Sequence, residues 1–379
     1  MTGGPVASSG TGGRLLGRGR GVARAANYYR LMPASIAIGS RRVGGGAPCL
    51  VIAEAGVNHD GDPELAVELV RAAARAGADA VKFQLFAADR LATDAAPTAP
   101  YQARATGTRG QQELLRALEL PAAELARVAE AAAAAGILFL ASAFDDESVD
   151  ALARLGAPAL KIASPDLVNP FLLEHAARTG LPLLVSTGMS DLAEVRTALR
   201  LLDAAGAREL VLLHCVSSYP AEAEDANLRA LAALAELGHP VGFSDHTLGT
   251  EVALAAVALG AAVLEKHFTL DRSRTGPDHA ASLEPGELAE LVAAVRRVES
   301  ALGDGIKRPV AAELANRESV RRSIAAARDV AAGERLERAM LTALRPATAI
   351  PALEVDRVVG RTARRAIRRG ELVAWTDLA

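Results

Sequence analysis

Only two cysteines, Cys49 and Cys215, occur in 379 residues, and they stand far apart beside apolar runs. This scarcity excludes a disulfide framework and fits buried thiols in a reducing compartment. Aromatic residues make up 3% of the chain, so its core must be aliphatic, and the abundant alanine suits helices packed closely around a sheet. The formal charge of -3 gives nucleic acid no long-range attraction. No apolar run approaches the roughly 20 residues of a membrane span. No GxGxxG turn follows the first apolar run, which weighs against a dinucleotide-binding open sheet. What remains is a cytoplasmic protein with neither a membrane nor a nucleic-acid partner, long enough for one large domain and a small one.

Residues 1–34 contain five arginines, many glycines and no acidic residue, and they lack the apolar centre of a secretory signal. They read as a flexible tail, with Met32 as an alternative translation start because alternating Ile36 and Ile38 begin just after it. From Cys49 to Gly303, short apolar runs alternate with helical stretches. The strand candidates are Leu50–Glu54, Ala80–Gln84, Leu138–Ser142, Leu160–Ala163, Leu183–Thr187, Leu210–Cys215, Val241–Ser244 and Val263–His267. Eight such alternations predict an α/β fold of the (β/α)8 TIM-barrel type over residues 35–303.

In such a barrel, catalytic groups come from the C-terminal strand ends, and here all eight ends are polar. In order they carry Glu54 with Asn58 and His59, Lys82 with Gln84, Ser142, Lys161 with Ser164 and Asp166, Ser186 with Thr187, and His214 with Ser217 and Tyr219. His246 in FSDHT and His267 in EKHFT complete the series. Neutral imidazoles at adjacent strand ends are natural divalent-metal ligands, although a lone histidine there is more often structural. Lys82 in AVKFQ and Lys161 in ALKIAS are embedded in apolar strands, where a charge must meet a partner or shift its pKa. With the hydroxyls of STGM (Ser186–Met189) they suit a phosphorylated carboxylic acid. A structural salt bridge to a neighbouring strand, or a Schiff-base lysine, are the competing readings.

Eight segments in order, IAEAGVNHDGD (Ile52–Asp62), AVKFQ, KIAS, STGM, LHC..SYP (Leu213–Pro220), FSDHT, EKHFT and GPDHAASL (Gly276–Leu283), make the chain resemble the bacterial N-acetylneuraminate (sialic acid) synthases and related nonulosonic acid synthases. The resemblance implies condensation of phosphoenolpyruvate with an open-chain N-acetylated aminosugar, such as N-acetylmannosamine or a diacetamido hexose, with release of phosphate. It implies that Lys82, Ser142, Lys161, Ser164, Ser186 and Thr187 cradle phosphoenolpyruvate. It assigns His246 and His267 to a divalent ion, Mn2+ or Mg2+, and gives Glu54, Gln84, Asp166, Tyr219 and Asp278 catalytic and positioning roles. Two departures bear on the sugar: Val216, Ser217 and Ser218 precede Tyr219 where many sialic acid synthases have Thr-Asn-Glu, and Ser142 replaces a usual threonine. Legionaminic, pseudaminic or spore-coat and capsule sugar acids are therefore alternative products, and a catalytically silent sugar-binding paralogue is the non-enzymatic alternative. A 3-deoxy-heptulosonate or octulosonate synthase would share the donor but normally lacks the C-terminal piece.

That piece, residues 318–379, has short β-branched runs, turns such as AAGE and RRGE, and many arginines. It resembles the mostly-β antifreeze-like (SAF, β-clip) domain of those synthases, with RRSI (Arg321–Ile324) as its opening strand. The resemblance implies a domain-swapped homodimer in which Arg321 or Arg322 reaches the partner's active site, Arg322 being the candidate. Residues 304–317 read as a linker starting where the helical pattern stops at GDGIKRP.

Overall fold

The computed structural model describes residues 34–379. The arginine-rich tail and the start at Met32 lie outside these residues. The chain divides into two compact units that meet between Gly303 and Asp304.

The first unit opens with an antiparallel hairpin, β1 (Ser35–Ile38) and β2 (Arg41–Gly44). Eight parallel strands follow: β3 (Leu50–Gly56), β4 (Ala80–Leu85), β5 (Leu138–Ala143), β6 (Leu160–Ile162), β7 (Leu183–Ser186), β8 (Leu210–Cys215), β9 (Val241–Asp245) and β10 (Val263–His267). They close into one barrel in which β10 pairs with β3. All eight strands lie where the apolar runs placed them, and the TIM-barrel expectation is met.

Strand residues alternate between two faces, and each face has its own apolar layer. Leu50, Ile52, Ala80, Leu140, Leu184, Val211 and Val263 fill the barrel interior, where Ile36, Ile38 and Val43 of the hairpin pack against them. Val51, Ala53, Val81, Phe83, Phe139 and Leu264 face outward onto the helices. Alanine keeps that contact tight: Ala66, Ala72, Ala73, Ala132 and Ala176 are all buried between helix and strand. Helix starts are set by side-chain caps. Asp62, Asp145, Asn169 and Asp191 each accept a backbone N–H at the head of the following helix. An excursion between β4 and β5 carries helices Ala88–Leu91, Pro100–Thr106 and Gln111–Leu118. It has its own apolar cluster of Val57, Phe86, Ala88, Leu114, Leu115 and Leu118. No helix among the described residues is long and apolar enough to cross a membrane.

The second unit pairs β11 (Ser323–Ala326) with β12 (Leu341–Leu344). Isolated bridges such as Val330 to Ile367 and Ala363 to Leu378 tie its loops together. Its small core is Ile324, Leu336, Ile350, Val358, Ile367 and Val373. The stretch read as a linker is corrected in part: a helix spans Ala311–Val320. AAELANRESV contains no proline or glycine, and the backbone N–H of Val310 donates to Glu313 at 2.9 Å, which starts the helix.

On β9, Gly242 faces the barrel interior, where a Cβ would stand 2.6 Å from both Leu213 Cδ2 and the Val263 carbonyl oxygen. Gly242→Ala is expected to destabilise the barrel by about 1–3 kcal/mol through overpacking. Denaturant unfolding measures it, and an unchanged midpoint would show slack between β9 and β10.

Candidate active site

At the C-terminal end of the barrel lies a cavity of about 670 Å³. It is lined by Glu54, Lys82, Gln84, Ser142, Lys161, Ser164, Asp166, Ser186, Tyr219, His246, His267 and Asp278, twelve of the sequence-predicted site residues. Alternation explains the convergence. Glu54, Lys82, Gln84 and Ser142 sit two or four residues beyond interior apolar positions of the same strand, so they share that face.

One predicted residue of the first unit does not line the cavity. Thr187 follows inward-facing Ser186, and its hydroxyl donates to the Leu213 carbonyl at 3.0 Å; it ties β7 to β8 rather than joining an anion cradle. Arg322 belongs to the second unit, where it is exposed and its guanidinium lies 3.5 Å from the Ala343 carbonyl. Among the other polar strand-end residues, His214 hydrogen-bonds the Ala226 carbonyl at 2.8 Å. Asn58 donates to the Phe268 carbonyl and to Ser282, both at 2.9 Å.

The cavity floor is a compensated cluster of four buried charges. Lys82 Nζ is 2.7 Å from Glu54 and 3.6 Å from Glu265, and it donates to the Ser142 hydroxyl at 3.0 Å. Lys161 Nζ is 3.9 Å from Glu265, and its one side-chain hydrogen bond, to the Ile162 carbonyl, is long at 3.4 Å. Burial would discharge both lysines. For Lys82 the two glutamates outweigh burial and hold its pKa above the ordinary value. For Lys161 burial prevails and the pKa falls. Burial also raises Glu54, against the pull of Lys82, whereas in Glu265 the two lysines overcome burial and lower it. A salt bridge to a neighbouring strand is thus made by Lys82, with Glu54 of β3, whereas Lys161 on β6 meets Glu265 of the non-adjacent β10 and is the cation with the weaker partners.

Next to this cluster the rings of His246 and His267 lie 5.4 Å apart. His246 Nδ1 lies 2.6 Å from the Val216 carbonyl, an acceptor only, so Nδ1 carries the proton and Nε2 is left as a lone pair. His267 Nδ1 is buried without a hydrogen-bond partner, 3.8 Å from Asp278 Oδ2. Burial holds both imidazoles neutral, which is the ligating form. Among the described residues no cluster of three or more His, Cys, Asp or Glu side chains is arranged around a metal position. His246 Nε2, with only a long 3.4 Å contact to Ser244 Oγ, and the orphaned His267 Nδ1 fit an open site completed by substrate and water rather than a closed structural one.

The remaining wall divides into a hydroxyl side and an aromatic side. Ser164 Oγ accepts the Gly188 N–H at 3.1 Å and lies 3.1 Å from Cys215 Sγ. Gly188 is required there, because a Cβ would stand 2.4 Å from Ser217 Oγ and 2.8 Å from both Cys215 Sγ and Ser164 Oγ. Ser186 Oγ is buried with no partner, a donor left over for a ligand. Opposite, Tyr219 stacks on Tyr101 at 5.0 Å and reaches His246 at 4.3 Å. The chain has four tyrosines, two of them at positions 28 and 29, so the other two meet here.

Among the lining residues to which the sequence reading gave no site role are Glu265, Ser244 and Tyr101. Glu265 and Ser244 stand two residues before His267 and His246, hence on the same face, and Ser244 donates to Glu265 at 2.9 Å. The period-two rule would have found both. Tyr101 lies in the β4–β5 excursion, whose sequence carries no strand-end signal.

A parallel eight-stranded barrel with this site at its C-terminal rim, followed by a small β-bridged domain, defines a two-domain protein of the TIM-barrel class. The NeuB family model matches residues 69–307 and the SAF domain model matches residues 321–379. The N,N'-diacetyllegionaminic acid synthase of Legionella pneumophila is 45% identical over 341 residues, covering 88% of this chain and 96% of that protein. The enzyme of the same name from Campylobacter jejuni is 42% identical over 86% of this chain and 98% of its own length. The crystal structure of the N-acetylneuraminic acid synthetase of Leptospira borgpetersenii with citrate superposes with a TM-score of 0.68 at 37% identity, covering 76% of this chain and 98% of that one. The chain belongs to the NeuB family of nonulosonic acid synthases.

Burial raises the Asp278 carboxyl to about 6, against a smaller lowering by Lys82. A raised carboxyl favours the fold in its protonated form. Its stabilising contribution is complete below the unfolded value near 4 and is lost as pH rises through about 6. The stability of the native chain relative to Asp278→Asn should therefore fall between pH 4 and 6 and stay level above. Denaturation midpoints across that range check it, and a flat difference would place Asp278 in a more polar setting.

Proposed function

We propose that the protein condenses phosphoenolpyruvate with an open-chain N-acetylated aminosugar, a diacetamido hexose in preference to N-acetylmannosamine, giving a nonulosonic acid and phosphate. The observation that carries this reading is the meeting of two buried lysines and two neutral histidines in one cavity. Similarity to two synthases named for diacetyllegionaminic acid supports the acceptor class. So does the apolar wall of Phe86, Leu114, Leu115 and Leu118 in the cavity, a surface suited to a second acetamido methyl. The convergence of these charged groups with two neutral imidazoles on one cavity favours an enzyme over a silent paralogue.

Lys161 and Lys82 hold the phosphate and carboxylate of the donor, with Ser142, Ser164 and Ser186 donating hydroxyls. His246 and His267 hold a divalent ion, Mn2+ or Mg2+, which when bound would polarise the sugar aldehyde. Tyr219, Gln84 and Asp166 orient the sugar. The C3 carbon of phosphoenolpyruvate attacks the aldehyde carbon, and Asp278, protonated below about pH 6, supplies a proton to the resulting alkoxide. The carboxylates of Glu54 and Glu265 stabilise the cationic C2 centre. Water adds there, with Glu54 taking its proton, and the C2–O bond breaks to release phosphate. Both substrates point to the cytoplasm.

Chelator-treated protein, resupplied with Mn2+, should release phosphate from phosphoenolpyruvate with a diacetamido hexose faster than with N-acetylmannosamine. No release with any N-acetylated sugar from folded protein would sink the reading.

The working unit is a domain-swapped homodimer. Two lysines and two glutamates leave the floor without net positive charge, so a donor with three negative charges calls for further cations beside the metal. Arg321 and Arg322 are the available source, and Phe171 (82% exposed) and Met189 (69% exposed) leave apolar surface at the rim of the barrel for a partner to cover. Mixing Lys161→Met with the Arg321→Ala/Arg322→Ala variant, each inactive alone, should restore part of the activity after subunit exchange. No recovery from proven mixed dimers would place the arginine in its own chain's site.

A further inference from the structure

A second pair of charges is buried on the far side of the barrel wall from the cavity. Asp245 and Lys266 directly precede His246 and His267. Neighbours on a strand point to opposite faces, so with both histidines lining the cavity, Asp245 and Lys266 face the helix layer. They are register partners across β9 and β10. Lys266 Nζ lies 2.7 Å from Asp245 Oδ2, with side-chain exposures of 1% and 0%.

Thr247 closes the network. Lys266 Nζ donates to the Thr247 carbonyl at 2.6 Å. Asp245 Oδ1 accepts the Thr247 N–H at 2.9 Å and its hydroxyl at 2.7 Å. The residues on both sides of His246 are thereby fixed to the residue before His267. None of the three touches the cavity. Stability alone gives little reason for such a pair, because well-packed apolar residues commonly serve as well or better in its place.

We propose that Asp245, Lys266 and Thr247 are positioning residues that set the spacing and direction of the His246 and His267 imidazoles, and so their affinity for a divalent cation. This rests on the metal-binding reading of the two histidines. The network acts through backbone register: a slip of β9 against β10 would move one histidine relative to the other, and the locked pair resists that slip.

The test is Mn2+ titration of the chelator-treated full chain by calorimetry, with thermal unfolding as a check on folding. The variants are Asp245→Leu/Lys266→Met and Thr247→Val. The double variant removes one charge of each sign, so a changed affinity reports geometry rather than local field. Expected is a loss of about tenfold or more in Mn2+ affinity, the range of outer-shell changes at metal sites, in a protein that still unfolds cooperatively. Thr247→Val should show a smaller loss in the same direction. Native affinity in the folded double variant would overturn the inference; if that variant does not fold, native affinity in Thr247→Val overturns it. A native chain that binds no Mn2+ refutes the metal reading itself and the inference with it, whereas native binding with unaffected variants refutes the inference alone.

Discussion

Four buried titratable side chains share the floor of the cavity, and the rest of the site is arranged around that requirement. Lys82 is met by Glu54 and Glu265, and Glu265 in turn is the nearest anion to Lys161. Remove one member and the others become uncompensated buried charges, which is far more costly than the net worth of any one pair. The cluster holds only because the strands deliver its members to one level. Glu54 registers with Lys82 across β3 and β4, and Glu265 stands one strand away on β10.

A charge-balanced floor is also a site waiting for exchange. Lys161 has the poorest partners, and Ser186 Oγ has none, so an arriving anion gains contacts there without first breaking a strong pair. Lys82, by contrast, is locked between two carboxylates and serves as a fixed source of positive potential. Under the proposed reaction, the same carboxylates that pair with the lysines face a developing positive centre once the donor's phosphate and carboxylate engage those lysines. Ground-state compensation and transition-state stabilisation would then use one set of groups in two pairings.

The sequence made the barrel and most of the floor legible because both follow from period two. Apolar runs of fixed length gave the strands, and counting back two residues from a polar strand end gives the next inward side chain. The same rule explains the placing of Thr187 apart from the cavity lining: it is adjacent to inward-facing Ser186, hence outward. Glu265 and Lys266 illustrate the two sides of this rule in one tripeptide, since one reaches the cavity floor and the other the helix layer. Loop geometry obeys no comparable rule. The stacking of Tyr101 on Tyr219 arises from an excursion of three short helices and a bridge between Pro97 and Gly110, a closure that local sequence does not encode. Helix Ala311–Val320 was hidden for a different reason: glycine and proline at Gly303, Gly305 and Pro309 marked a break, and the break ended sooner than expected.

This unequal legibility mirrors a division of labour. The groups proposed to meet the donor stand mostly on strands, whose register is fixed by closure of the barrel and whose side chains cannot move without disturbing the apolar layer beneath. The groups proposed to meet the sugar stand largely on connections: Leu114, Leu115 and Leu118 on the β4–β5 excursion, Asp166 after β6, Tyr219 after β8 and Asp278 after β10, with Gln84 on a strand. Loops tolerate substitution and insertion that strands do not, so a barrel of this kind can change its acceptor while keeping its chemistry. Relatives named for different nonulosonic acids are consistent with that freedom. Ser217 is a case in point. It packs against Gly188, where even a methyl group would collide with it, so the hydroxyl side of the cavity limits what position 217 can hold. Under the proposed function, the choice of acceptor would then be shaped by the packing of the donor side as well as by its own loop.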